Sequence, residues 1–160
     1  MESVKIKTTL GLYLAQASNI QNGLEVFVPY DQEKHEKLVT LSLSKKWQLY
    51  FEKLQSQVDE FFQGRRDHFD IKLNPQGSSF QKNVWKQLLQ IPYGETASYQ
   101  DIARLIGNEK ASRSVGTANG RNPIHIIIPC HRVVRKNGDL GGYSAGLDRK
   151  KILLKIEANL

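Results

Sequence analysis

Ile126-Ile127-Ile128-Pro129-Cys130-His131-Arg132-Val133-Val134 is the stretch that decides how this 160-residue chain is read. Three consecutive isoleucines predict a buried, extended segment. Pro129 fixes the backbone directly before Cys130, and Asn122-Pro123 fixes it again upstream. Cys130 is the only cysteine, so no internal disulfide forms, and a free thiol fits a reducing cytosol. A lone cysteine is most often a small buried hydrophobe. Here it is followed at once by a histidine and an arginine, and a base or positive charge is what turns a thiol into a nucleophile. Adjacent residues of an extended segment point oppositely, so His131 is expected to reach the sulfur through a bridging water. Glu157 is one of few acids in this part of the chain and the candidate to orient the imidazole. His125, Cys130 and His131 lack zinc-ligand spacing, and no metal is expected.

Working outward, the charge is unevenly spread. The chain carries 23 Lys/Arg and 16 Asp/Glu, a net charge of +7. Residues 1–74 hold ten of each sign, whereas residues 75–160 hold 13 basic and 6 acidic side chains, which is the whole excess. Basic excess confined to one part suggests a phosphate-facing surface there, although a merely solvated face has the same composition. Ser78 and Gln81 have capping-box spacing, and Phe80, Val84, Trp85 and Leu88 form a helical stripe ending before Pro92-Tyr93-Gly94. Ser98 caps a short helix that buries Ile102, Ala103 and Ile106 and stops at Gly107-Asn108. A second helix, residues 111–118, has little bulk except Arg113, so its backbone can approach a partner closely. The pair has helix-turn-helix spacing, which helical hairpins that bind nothing share. A last helix is predicted over Arg149–Ala158.

The first part of the chain reads differently. Val4, Ile6 and Thr8, then Leu10, Leu12 and Leu14, alternate apolar with polar neighbours. The turn dipeptide Asn22-Gly23 precedes a strand from Leu24 that Pro29 closes, which predicts a small antiparallel sheet. Phe69, Ile71 and Leu73 predict one more strand. Between them, Ser44–Gly64 reads as a helix with an aromatic core face and Gly64 as its stop. Asn74-Pro75-Gln76-Gly77 marks a linker, giving expected domains of 1–74 and 75–160. MESVKIKTTL shows no secretory signal, and no apolar run approaches the ~20 residues of a membrane span. The expected location is the cytoplasm.

From Gly77 to Leu160 the residues resemble the O6-alkylguanine-DNA alkyltransferases, also called methylated-DNA–protein-cysteine methyltransferases. The resemblance is carried by Val84-Trp85, Ile91-Pro92-Tyr93-Gly94-Glu95-Thr96, Ser98-Tyr99, Arg113-Ser114-Val115-Gly116, Ala118-Asn119-Gly120-Arg121-Asn122-Pro123, Ile128-Pro129-Cys130-His131-Arg132-Val133, Gly142-Tyr143 and Lys150. Thr9-Leu10-Gly11 and Phe61-Phe62-Gln63-Gly64 agree more loosely. The Pro-Cys-His-Arg-Val block with Asn-Pro upstream is the most specific piece.

The resemblance implies an α/β N-terminal domain with a small antiparallel sheet, and a mostly α-helical C-terminal domain with a winged-helix-like helix-turn-helix. It implies DNA repair by direct damage reversal: one irreversible transfer of an alkyl group from O6-alkylguanine, and O4-alkylthymine, to Cys130. The partner implied is double-stranded DNA bound through its minor groove by a monomer, without a cofactor. Carried over by position, His131 is the water-assisted base, Glu157 its orienting carboxylate, Asn122 the brace and Tyr99 the donor to the departing base. Arg113 fills the gap left by the flipped nucleotide, and Ser112, Ala118, Arg121 and Tyr99 face DNA. The Cys130 and Val133 carbonyls and the Ser144 amide read the base edge, beside Tyr143. Two departures stand out. Arg135-Lys136 replaces a small-residue turn and offers a phosphate contact, and Ala145 stands where glycine is usual. A non-catalytic lesion sensor of this fold would lack Cys130. A helix-turn-helix regulator leaves His131 and Glu157 unexplained, and a thiol hydrolase needs a better-placed base than an adjacent histidine.

Overall fold

Seven-, eight- and seven-residue strands, Glu2–Thr8 (β1), Gly11–Ser18 (β2) and Gly23–Pro29 (β3), form an antiparallel meander in the computed structural model, which describes residues 1–18 and 22–158. Ile6 pairs with Tyr13 and Ala15 with Phe27, so these side chains share the face that is buried. Of the alternating leucines Leu10, Leu12 and Leu14, only Leu14 is buried. Leu10 lies in the turn, Gly11 takes a φ of +106°, and Leu12 is 47% exposed. That glycine, in a conformation other residues resist, sets the register by which Tyr13, Ala15 and Ala17 turn inward. Residues 19–21, in the connection before Asn22-Gly23, lie outside the described residues.

A short helix, Gln32–His35 (α1), and a 3-10 turn lead to Lys45–Phe62 (α2). Trp47, Phe51, Leu54, Val58 and Phe61 of α2 are buried at helical spacing. The helix stops as the sequence requires: Gly64 takes a φ of +67°, and Arg65 N–H closes back on the Glu60 carbonyl at 2.9 Å, a Schellman cap. Phe69–Leu73 is not a strand. Its backbone pairs with the sheet at Leu24↔Leu73 alone, through Leu24 N–H to the Lys72 carbonyl (2.8 Å) and Asn74 N–H to the Leu24 carbonyl (2.7 Å). The alternation reflects burial of Ile71 and partial burial of Phe69, not a ladder.

The chain divides into two compact units, Met1–Pro75 and Gln76–Leu160. In the second, Ser79–Leu88 (α3) begins with a complete capping box: Gln81 N–H donates to Ser78 Oγ and Ser78 N–H to Gln81 Oε1. Phe80, expected in its apolar stripe, is 37% exposed, while Val84, Trp85 and Leu88 are buried. Ala97–Ser98 (β4) precedes Tyr99–Leu105 (α4), which is capped by Ser98 and Asp101. A 3-10 turn, Glu109–Ala111, leads into Ser112–Gly120 (α5). The isoleucine run is buried but not extended. Ile126 has a φ of +69°, and Ile128 N–H bonds the Ile124 carbonyl at 3.0 Å, so the segment is a chain of tight turns. Cys130–Arg132 is a single 3-10 turn, followed by Val133–Val134 (β5), which pairs in parallel with β4. The final helix, Leu147–Glu157 (α6), starts two residues before the expected Arg149. Among the described residues no helix is long and apolar enough to cross a membrane.

Candidate active site

Cys130 sits with no exposed surface at the start of its 3-10 turn, and its Sγ accepts a hydrogen bond from Asn122 Nδ2 at 3.0 Å. The same Asn122 amide donates to the Ile128 carbonyl (2.8 Å) and the Ile124 carbonyl (3.2 Å), and its Oδ1 accepts from Ile124 N–H (2.9 Å). One buried side chain therefore ties together the turns that lead to the sulfur. Burial pushes the Cys130 thiol up to about 11, against the pull of the Asn122 bond and the nearby Lys150 charge. The resting sulfur is a protected thiol.

His131 is also fully buried. Its Nε2 lies 2.7 Å from Glu157 Oε1, and because a carboxylate can only accept, Nε2 carries the hydrogen. That leaves Nδ1 as the lone-pair nitrogen, buried and without a hydrogen-bond partner among the described residues. The imidazole is held below its ordinary range by burial, opposed by Glu157, and is neutral at pH 7. His131 directs its polar contact to Glu157 rather than to the sulfur, as expected, although the intervening backbone is a 3-10 turn and not a strand. Glu157 also accepts from Arg132 Nε (2.9 Å), Arg132 Nη2 (3.0 Å) and Gly94 N–H (3.2 Å). Burial alone would raise this carboxyl, but the hydrogen bonds from His131 and Arg132 and the Arg132 charge prevail and lower it.

The Tyr99 phenol is half-buried, and burial raises it above the ordinary tyrosine range, so it stays a hydrogen-bond donor. Its ring lies against Gly116 and Gly141. A Cβ built on Gly141 would come within 2.7 Å of Tyr99 Oη, so this loop closes on the phenol only because residue 141 has no side chain. The parallel pairing Ala97↔Val133 and Ser98↔Val134 brings Tyr99, which starts α4, beside the Cys130 turn. Arg113 and Arg121 are exposed on and just after α5, and Ser112 is partly exposed at its start. Ala118 is not on that surface. It is 2% exposed, and its carbonyl accepts from Trp85 Nε1 at 2.9 Å, because its face of α5 packs on α3.

Two expected base readers are already engaged. The Cys130 carbonyl accepts from Val133 N–H and from Asn119 Nδ2 (3.3 Å), which occupies both of its lone pairs. The Val133 carbonyl accepts from Lys150 Nζ at 2.6 Å, leaving one lone pair. Ser144 is exposed and Tyr143 partly so, in a turn closed by Gly146 N–H to the Tyr143 carbonyl (3.0 Å).

Four residues with roles here escaped the sequence. Arg132 neutralises Glu157 and donates to the Ile91 carbonyl at 2.7 Å. Asn119 holds the Cys130 carbonyl. Lys150, fully buried, also donates to the Leu140 and Gly142 carbonyls, so it gathers both ends of the loop after Cys130. Burial brings it down to about 8. His125, 5% exposed, has Nε2 at 3.3 Å from Ser144 Oγ and its ring against Tyr143. Each of these roles depends on a partner distant in sequence, so no local spacing signals it.

His125 gives a pH prediction. Burial depresses it from 6.5 to about 4, against a backbone hydrogen bond at Asn122 and with the Arg149 charge adding to the effect. A depressed folded-state value means stability present above pH 6.5 and lost as pH falls through about 4, worth about 3 kcal/mol in full. Chemical denaturation at pH 7 and pH 4.5 is expected to show that loss, and His125→Gln to reduce it. An equal acid loss in the variant would remove His125 as its cause.

Residues 79–159, half of the chain, match the model of the 6-O-methylguanine DNA methyltransferase DNA-binding domain. A methylated-DNA–protein-cysteine methyltransferase of Methanosarcina acetivorans is 54% identical over 110 residues, 69% of this chain and 70% of that protein. This chain belongs to that family. The protein of the same name from Mycobacterium tuberculosis is 52% identical over 101 residues, 63% of this chain and 61% of its own length. Its crystal structure in complex with DNA superposes with a TM-score of 0.83 at 35% identity, covering 99% of this chain and 94% of that one. An O6-methylguanine DNA methyltransferase structure from Methanococcus jannaschii gives 0.71 at 30% identity, covering 98% and 92%. The family resemblance drawn from the Cys130 block is therefore shown by the comparisons.

Proposed function

We propose that this alkyltransferase repairs DNA by direct reversal, with Cys130 as the acceptor of the alkyl group of O6-alkylguanine. The observation that carries the assignment is the pairing of a braced, buried Sγ with the adjacent His131–Glu157 couple, whose Nδ1 is left open. In the reaction Sγ attacks the alkyl carbon in line and the carbon–O6 bond breaks. The thiol proton passes through a water to His131 Nδ1, where Glu157 stabilises the imidazolium. The departing guanine takes a hydrogen bond or proton from Tyr99 and regains its carbonyl form; a phenol that gave its proton regains one from solvent, to which the imidazolium returns its own. The Ser144 amide and the remaining lone pair on the Val133 carbonyl face the base edge.

In this reading α4 and α5 act as a helix-turn-helix whose second helix enters the minor groove, since its small residues suit close approach. The protein acts as a monomer, O4-alkylthymine is the second substrate, and the catalytic and binding parts both lie in the unit from Gln76 onward. One incubation with a duplex carrying O6-methylguanine tests the core of it. Intact-protein and peptide masses are expected to show a single methyl on Cys130; label on another residue would overturn the assignment.

Arg113 is expected to matter only when the base starts inside a duplex. Unstacking costs a few kcal/mol, and an inserted side chain offsets part of that. Arg113→Ala should slow transfer from duplex strongly and from free O6-methylguanine little. Equal losses on both substrates would mean that Arg113 supports the pocket instead.

A further inference from the structure

We propose that His125 is a positioning residue for the transfer: its imidazole seats the Tyr143–Ser144 turn, and with it the Ser144 amide, against the base held before Cys130. The proposal rests on the repair reading above and gives a role to a buried histidine that the mechanism leaves unused.

His125 lies in the buried turns between Asn122 and Cys130. Ile127 N–H closes on the His125 carbonyl at 2.7 Å around Ile126 at a φ of +69°, a γ-turn of the rare and strained form. Strain of this kind persists only where surrounding contacts over-determine it, and it gathers at active sites. The His125 ring reaches 19 residues along the chain, with Nε2 3.3 Å from Ser144 Oγ. Its centroid stands 5.8 Å from that of the Tyr143 ring, at a tilt of 41°. The Asn122 backbone also pulls on the ring as an acceptor, although Nδ1 falls short of full hydrogen-bond geometry. That pull places the proton of the neutral ring on Nδ1 and leaves Nε2 to accept from the Ser144 hydroxyl. One imidazole thus spans from the residue that braces Sγ to the turn that meets the base.

The turn needs such a support. It is the crest of a loop between Gly141 at a φ of +65° and Gly146 at +95°. Lys150 holds one side through the Leu140 and Gly142 carbonyls, and Arg149 Nη1 holds the other through the Ala145 carbonyl at 2.9 Å. Neither cation bonds Ser144, whose exposed side chain bonds only His125 among the described residues. A backbone amide steadies a developing charge only at the right distance, and a misplacement of about 1 Å can cost about a hundredfold in rate. Packing alone would not call for a polar ring here, since phenylalanine fills a similar space.

Full-length Ser144→Ala, His125→Phe and the double variant test the proposal with two methyl donors, O6-methylguanine and methyl iodide. Both methylate the same sulfur, but only the first presents a base to be held. Either single substitution should slow transfer from O6-methylguanine about tenfold, in duplex and as free base alike, because the amide is displaced rather than lost. The double variant should be no slower than the singles, since all three remove the same bond. His125→Gln, which keeps an acceptor and a donor, should recover transfer to within about threefold of wild type. Methylation by methyl iodide should stay within about twofold in every variant, which also reports an intact thiol site. Ser144→Ala changes an exposed side chain and keeps the amide, so it reads the bond even where phenylalanine at 125 loosens the core. A wild-type rate in Ser144→Ala, or single losses that multiply in the double variant, overturns the proposal while the repair reading stands. Equal slowing with both donors also overturns it, because His125 would then act on the thiol itself. A wild-type chain that O6-methylguanine leaves unmethylated at Cys130 overturns the repair reading and the proposal with it.

Discussion

Cys130→Ala is expected to abolish alkyl transfer while leaving affinity for duplex DNA within about twofold. The sulfur is the only thiol in the chain and lies fully buried. Alanine therefore removes the acceptor and little else. The wild type should in turn act once. A thioether has no good leaving group, and none of the residues around Sγ is a nucleophile placed to cleave it. Repaired lesions should plateau at one per protein molecule, read by counting methyl groups lost from DNA against protein added. Turnover beyond that plateau, or residual transfer by the alanine variant, would falsify the single-acceptor mechanism. Methylation should also destabilise the fold, because a carbon added where Asn122 Nδ2 stands 3.0 Å from Sγ must displace the brace. Overpacking of this kind costs about 1–3 kcal/mol.

Removing the Glu157 charge should have the largest effect on stability. Glu157→Gln leaves Arg132 buried with its positive charge uncompensated, and breaking a buried pair from one side costs about 3–5 kcal/mol. It also takes from His131 the acceptor that fixes its tautomer, so transfer should slow by about a hundredfold. These two effects separate in the Arg132→Met/Glu157→Leu double variant. With both charges gone, much of the stability should return, because well-packed apolar residues replace a buried ion pair at little cost. His131 still lacks its partner, so transfer should remain slow. Denaturant midpoints together with single-turnover rates decide the matter. A double variant that recovers both stability and rate would mean that Glu157 serves only to neutralise Arg132.

The sequence by itself determined the features whose causes lie within a few residues. The Ser78–Gln81 box, the Ser98 cap and the Gly64 stop are local hydrogen bonds and a local backbone conformation, and each was legible as a spacing. The Cys130 block named the chemistry because a lone cysteine followed by histidine and arginine has few other readings. In β2 only Leu14 of the Leu10–Leu12–Leu14 alternation is buried, because the strand begins at the Gly11 turn, and Phe69–Leu73 alternates like a strand but pairs at one bridge. The isoleucine run showed burial but hid its turns. What only the tertiary structure decided is how the sulfur is surrounded. Arg132 meets Ile91 and Glu157, 41 and 25 residues away, and Lys150 reaches back 17 residues to Val133. α6 was predictable as a helix, yet its buried face is Lys150, Leu153 and Glu157, two ions where periodicity expects apolar side chains. A charged residue enters a core only when partners distant in sequence are waiting for it, and no local pattern records that they are.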